Sequence, residues 1–230
     1  MSKPMSALPD EPTRADTVAL ADLDATQPNA AYMRAGIARL QNGLALSDPR
    51  DLNAYLTLAR RLYAAGRFDL ALGRLFEGHI DALQIIRRYG EADPAKRLHE
   101  AARQGARFGV WNAPLAGEAL ELANGKLDGG KAFASGAGLL THALVTAEVP
   151  EIDGKQLLAL DLTQTPPDID DRWWQVLGMQ RSHTHLVRWQ NAALSANDIR
   201  IGKPGDYERE PWLSAGALRF VAVHAGGIAG

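Results

Sequence analysis

The chain has 230 residues, no cysteine, and 25 basic against 27 acidic side chains, which gives a net charge of −2. This length makes one large domain or two small ones, and the 46% apolar content can build a core. The missing cysteines exclude disulfide scaffolds, iron–sulfur clusters and thiolate catalysis, and the near-neutral charge does not favour nucleic acid as a partner.

The first residues are polar. Residues 1–28 are rich in Pro, Asp, Glu, Thr and Ala without periodicity, which predicts a mobile arm. The start of the chain lacks the apolar segment of a signal peptide, and no apolar run approaches the ~18 residues that span a membrane. We therefore expect a cytoplasmic protein that contacts no membrane.

Residues 29–106 carry apolar side chains at helical spacing, which predicts an N-terminal helical domain. In the third helix, His79 shares the apolar stripe. A histidine in that position is usually a core residue, with a site-lining role as the alternative. Four helices are predicted: one from about Ala30 to Asp48, then Asp51–Ala65 ended by Gly66, Phe68–Tyr89 ended by Gly90, and Pro94–Gln104.

From residue 107 to residue 209 the segments become short and rich in β-branched residues, with turn signals between them. This pattern predicts a small antiparallel β-barrel or sandwich. Residues 210–230 turn helical again and read as the start of a further, buried helical domain. The predicted fold class is therefore α+β. The predicted strands are Phe108–Asn112, Glu118–Ala123, Lys126–Leu127, Lys131–Ser135, His142–Val149, Lys155–Leu162, Leu186–Trp189 and Ile199–Ile201. Tight turns are predicted at Asn124-Gly125, Asp128–Gly130 and Asp153-Gly154.

Two short motifs carry little chemistry. Gly125 to Lys131 matches G-x-x-x-x-G-K, but Ala132 stands where a phosphate loop needs Ser or Thr, so a hairpin is the better interpretation. His183 and His185 would share one strand face as half of a metal site, yet no third ligand lies near them in sequence. The five tryptophans favour core packing, with a planar ligand as the alternative.

Five strings, in this order along the chain, resemble the FAD-dependent acyl-CoA dehydrogenase superfamily. That family has a helical domain, a β-barrel and a C-terminal helical bundle, and the resemblance covers about residues 30–230. The strings are Asp69 to His79, Gly129 to Gly138, Trp174 to Thr184 (WQVLGMQRSHT), Ile201 to Tyr207 and Gly216 to His224.

The resemblance implies a set of ligand-facing residues. Phe133, Ala134 and Ser135 would lie against the flavin ring of FAD, with Ser135 donating toward the N5 edge. A second strand would touch the pyrimidine side of the ring. Ser182, Thr184 and His79 would face an acyl thioester or a similar small molecule. The residues of that second strand are Phe108, Val110 and Trp111.

The sequence departs from the family at two functional positions. Gly117 replaces a ligand-contacting serine, and Leu218 stands at one position of the catalytic glutamate. No other candidate base is found, and the C-terminal bundle is not in this sequence. We therefore expect an acyl-CoA dehydrogenase-like oxidoreductase with little turnover, which forms a homo-oligomer or binds a partner chain that supplies a helical bundle. The alternatives are a flavin-dependent monooxygenase of the same superfamily and a non-catalytic scaffold that binds a partner.

Overall fold

The computed structural model describes residues 20–150 and 152–230. The described residues form an α+β fold, which confirms the predicted class. The helices are α1 (Asn29–Gln41), α2 (Leu52–Phe68), α3 (Leu70–Tyr89), α4 (Ala92–Arg103) and α5 (Trp212–Ala229). The strands are β1 (Phe108–Trp111), β2 (Glu121–Ala123), β3 (Lys126–Ala134), β4 (His142–Glu148), β5 (Lys155–Asp161), β6 (Asp168–Asp170), β7 (His185–Ala193) and β8 (Ile199–Ile201).

Two residues of the predicted arm pack against the helical domain, whereas residues 24–28 are exposed. Leu20 and Leu23 are buried in the core of the helical domain, next to side chains of α1 and α3. Two leucines three residues apart can cover such a core although the surrounding residues are polar. Residues 1–19, the rest of the predicted arm, lie outside the described residues.

Side-chain caps start the two central helices. Asp51 accepts a hydrogen bond from the Ala54 amide at 2.8 Å, and Asp69 accepts one from the Leu72 amide at 3.0 Å. The prediction that Gly66 ends α2 is wrong, because Gly66 lies inside this helix. A Cβ atom at Gly66 would stand 2.1 Å from the carbonyl oxygen of Val223 in α5, so this glycine permits two helix backbones to touch.

The strands form one sheet in the order β6-β7-β3-β2-β4-β5-β8, and β1 pairs with β4. Most pairs are antiparallel, while β1 and β2 run parallel to β4. The hairpin at Asn124-Gly125 is confirmed, because both residues have positive φ and join β2 to β3. The turn predicted at Asp128–Gly130 is wrong: β3 continues through it, with a register shift against β7 between Leu127 and Gly129.

Helix α5 packs on α2 and α3 rather than forming a separate buried core. Val223 is 1% exposed, whereas Val221 is 62% exposed and His224 lies on the surface, so α2 and α3 cover one face of α5. Of the described helices, α5 alone is long and apolar enough to cross a membrane by length and composition. The core helix of a soluble protein passes the same criterion, and Arg219 interrupts the apolar residues of α5, so the expectation of no membrane contact stays a prediction.

Candidate functional site

An exposed aromatic face lies at the end of β3. Phe133 is 55% exposed and has a φ of 53°, an unfavourable backbone conformation for a bulky residue. The register of β3 against β7 shifts between Lys131 and Ala134, and this irregularity turns the Phe133 ring outward. Its ring meets Trp173 edge-on at 4.8 Å between centroids, and Trp173 stacks with Trp174 at 6.0 Å. We call these three residues the aromatic face.

The backbone strain at Phe133 is of the kind that is found at ligand-binding sites. A non-glycine residue held at positive φ costs about 1–3 kcal/mol, and such residues cluster at ligand sites. Core packing does not offset this strain, because the ring is exposed, but an exposed ring can pack against a planar ligand. The two interpretations of the tryptophans apply to different residues. Trp111 and Trp189 are buried in the core of the sheet, whereas Trp173 and Trp174 are partly exposed.

A chain of three buried hydroxyl groups lies beside the aromatic face. Thr184 Oγ1 lies 3.0 Å from Ser135 Oγ and 2.8 Å from Ser182 Oγ. The Ser182 hydroxyl donates its hydrogen to the Met179 carbonyl oxygen at 2.7 Å, so the single hydrogen of Thr184 lies within reach of both Ser182 Oγ and Ser135 Oγ. The Ser135 carbonyl oxygen also accepts from the Trp111 indole N–H at 2.9 Å. Ser135 is therefore fixed from two sides.

Ser182 and Thr184 were predicted to face a substrate, and the structure gives them a different position. Both side chains are buried, at 0% and 4% exposure, and they orient Ser135 instead of lining a surface. Ser135 itself borders a crevice of about 10 Å³ between α3 and β1, too small for more than one water molecule. The other lining residues are Arg74, Leu75, Gly78, Phe108, Gly109, Val110 and Leu140.

His79 is a core residue, as one of the two sequence interpretations has it. It is fully buried, and burial lowers its pKa to about 3, so the ring is neutral. Its Nδ1 accepts from the Phe108 amide at 3.1 Å, which leaves the hydrogen on Nε2 to donate to Gln41 Oε1 at 2.9 Å. Both ring nitrogens are therefore used inside the protein, and His79 positions β1 rather than facing a ligand.

The residues predicted on β1 separate by orientation. The side chains of Phe108 and Trp111 are buried, at 0% and 1% exposure, so they offer no surface to a cofactor. Val110 is partly exposed and borders the crevice. Ala134 is buried next to Ser135, and Gly117 lies exposed on the loop between β1 and β2 with a φ of 78°. Of the predicted set, Phe108, Val110 and Ser135 border the crevice, and Phe133 lies on the adjacent face.

A buried charged cluster between α3 and α5 was missed from the sequence. Glu77 lies 2.8 Å from Arg74 and 3.7 Å from Arg219, and Arg219 also contacts Asp81. Burial raises the pKa of Glu77 to about 7. Leu218, at the family position of the base, is 54% exposed. The available signal was the placement of Glu77 on the apolar stripe of α3.

The histidine pair does not lie on one strand as predicted. His183 has a φ of 45° at the end of a short 3₁₀ turn, before β7 begins at His185. The rings are 5.5 Å apart. Across residues 20–150 and 152–230, no cluster of three His, Asp or Glu side chains could hold a metal ion.

No family model and no curated protein matches this chain, but solved structures do. TdsC from Paenibacillus sp. A11-2, solved with FMN and indole, matches 86% of this chain and 53% of its own with a TM-score of 0.66 and 19% identity. Butyryl-CoA dehydrogenase from Megasphaera elsdenii matches 86% of this chain and 56% of its own length, with a TM-score of 0.65 and 15% identity. KijD3, solved with FMN and a dTDP-amino sugar, matches 94% of this chain and 62% of its own length, with a TM-score of 0.64 and 20% identity.

At these identities the comparisons show the fold. The helical domain and sheet of this chain have the fold of acyl-CoA dehydrogenase-like proteins, which confirms the structural part of the resemblance. The chain spans little more than half the length of TdsC and of the dehydrogenase. This fold carries more than one chemistry, because TdsC is a dibenzothiophene monooxygenase and another match is a nitrososynthase.

Proposed function

We propose that this chain binds a flavin at the aromatic face and forms part of an acyl-CoA dehydrogenase-like oxidoreductase. The observation that carries the proposal is the outward, strained ring of Phe133 beside the Ser135 hydroxyl, which Thr184 holds in place. TdsC and KijD3, which share the fold, were solved with FMN. FAD, as the sequence resemblance implies, is the other cofactor to be tested.

The residues at this face have the chemistry that a flavin requires. Phe133 and Trp173 offer apolar ring surface, and Ser135 offers a hydroxyl group held in place by Thr184. A bound flavin would supply two-electron redox chemistry. The chain's own contribution would be to bind the ring, to orient one edge by the Ser135 hydroxyl, and to keep water from the buried side through Trp111 and Ala134.

The reaction is proposed as α,β-dehydrogenation of a small acyl thioester, with a flavin-dependent monooxygenase as the second candidate. One observation favours the second candidate. Dehydrogenation needs a carboxylate free to remove a proton, but Glu77 is ion-paired with Arg74 and Arg219, and Leu218 has no acid. Consumption of oxygen with a reduced flavin and no thioester would support the monooxygenase, whereas thioester oxidation by this chain would support the dehydrogenase.

The binding proposal is tested by titrating FMN and FAD into the purified 230-residue chain and following flavin fluorescence. We expect saturable binding of at least one flavin. Phe133→Ala should weaken that binding about tenfold, because the loss of one aromatic stacking partner is worth about 1.4 kcal/mol.

Phe68→Ala is the matched control, because Phe68 is also exposed but lies at the end of α2. It should leave the flavin affinity unchanged. The proposal would be contradicted if neither FMN nor FAD bound, or if Phe133→Ala and Phe68→Ala weakened flavin binding equally.

A further inference from the structure

A basic groove separate from the aromatic face lies in the helical domain. The groove has a volume of about 1340 Å³ and is formed by the loop between α1 and α2, the end of α3 and the start of α4. Its lining shares no residue with the aromatic face or with the crevice beside Ser135. Six cationic side chains line it: Arg39, Arg50, Arg87, Arg88, Lys96 and Arg103.

The charges of the groove are balanced only in part, and one balanced cation is Arg103, whose Nη1 lies 3.1 Å from Glu100 Oε2. Asp48 is bound by Arg88, whose Nε donates to Asp48 Oδ2 at 3.1 Å, so this pair contributes no net charge. Asp93 is the other acid in the lining. Across the described part of the chain, Arg50, Arg87 and Lys96 have no carboxylate partner within salt-bridge distance. Like charges collected around one concavity repel each other unless an anion binds between them.

A second feature of the groove also suits an anion. Ala92 and Asp93, in the first turn of α4, are part of the lining, and the residue before them, Glu91, makes no side-chain cap. The first amide N–H groups of this 12-residue helix therefore donate no hydrogen bond to a Glu91 cap. His99 contacts the Leu46 carbonyl oxygen at 3.1 Å and holds the loop between α1 and α2 against α4.

We propose that this groove binds a phosphorylated organic anion of the size of a nucleoside diphosphate. The volume is sufficient for such a molecule, since small-ligand pockets are commonly about 300–1,000 Å³. Several arginines suit phosphate through paired N–H donors, and Leu44 and Leu46 provide apolar surface for the rest of the ligand. The inference is independent of the proposed flavin site.

The test is isothermal titration of ADP, inorganic pyrophosphate and adenosine into the full chain at low salt. We expect ADP and pyrophosphate to bind with one site per chain and adenosine not to bind. Arg87→Gln should weaken ADP binding about tenfold, and Arg87→Gln with Lys96→Gln should weaken it further. The variants should unfold at the same temperature as the unaltered chain or higher, because they remove like-charge repulsion.

Arg97→Gln is the matched control, since Arg97 is an exposed arginine of α4 outside the groove lining. It should leave ADP binding unchanged. Phe133→Ala should also leave it unchanged, which separates this groove from a flavin site. Absence of ADP binding, equal weakening by Arg97→Gln and Arg87→Gln, or loss of ADP binding in Phe133→Ala would each overturn the proposal.

Discussion

Replacing Gly66 by alanine is expected to destabilise the protein by about 3 kcal/mol and to detach α5 from α2. The added Cβ would lie 2.1 Å from the Val223 carbonyl oxygen, and a backbone atom cannot rotate away as a side chain can. Overpacking of this kind costs about 1–3 kcal/mol or more. The same contact recurs at Gly226, whose Cβ would lie 2.0 Å from the Tyr63 carbonyl oxygen.

Chemical unfolding measures this effect, with Gly216→Ala as the control. Gly216 lies in α5, and its Cβ would meet only the Arg219 guanidinium at 3.4 Å. Since alanine favours a helix over glycine by about 0.5–1 kcal/mol, this variant should be neutral or slightly more stable. If Gly66→Ala behaved like Gly216→Ala, the close packing of α2 on α5 would be refuted.

Acid should destabilise the protein through His79. The pKa of this ring is about 3 in the folded protein and about 6.5 in the unfolded chain. Between those values the unfolded state binds the additional proton. The contribution of His79 is therefore complete above pH 6.5 and is lost as the pH falls toward 3, at about 1.4 kcal/mol per pH unit.

His79→Gln should remove this dependence, because glutamine can still accept from the Phe108 amide but does not titrate. The measurement is the free energy of unfolding from pH 4 to pH 7, compared as variant minus unaltered chain. The comparison with the unaltered chain is needed because Glu77 also titrates in this range. Burial raises the pKa of Glu77 to about 7, which changes the free energy of unfolding with pH in the opposite direction. His224→Gln, at an exposed histidine, is the control. An unchanged slope in His79→Gln would contradict a neutral, buried His79.

Much of the fold follows from local patterns in the sequence. The apolar spacing along α3 predicted its end at Tyr89, and Ile199–Ile201 is found as predicted. The failures come from tertiary packing. Gly66 has the local signal of a helix end, but its lack of a side chain serves contact with α5, which no local pattern reveals. The bulge at Gly129 was read as a turn for the same reason, because only the pairing with β7 shows that the strand continues.

The candidate site was predictable in outline but not in detail. The resemblance placed Phe133 and Ser135 together, and the structure adds that Phe133 is turned outward by an irregular register. The roles of Ser182 and Thr184 were not predictable, because their burial depends on the fold around residues 179–184. The pairing of Glu77 with Arg219 joins residues 142 positions apart, and sequence spacing cannot show such a contact.

The central claim is that the aromatic face binds a flavin, and the visible absorption spectrum after gel filtration tests it most directly. The 230-residue chain is mixed with excess FMN or FAD and separated from free flavin. We predict that the two flavin bands elute with the protein for at least one cofactor and are lost in Phe133→Ala but not in Phe68→Ala. A colourless protein fraction with both cofactors would contradict the claim.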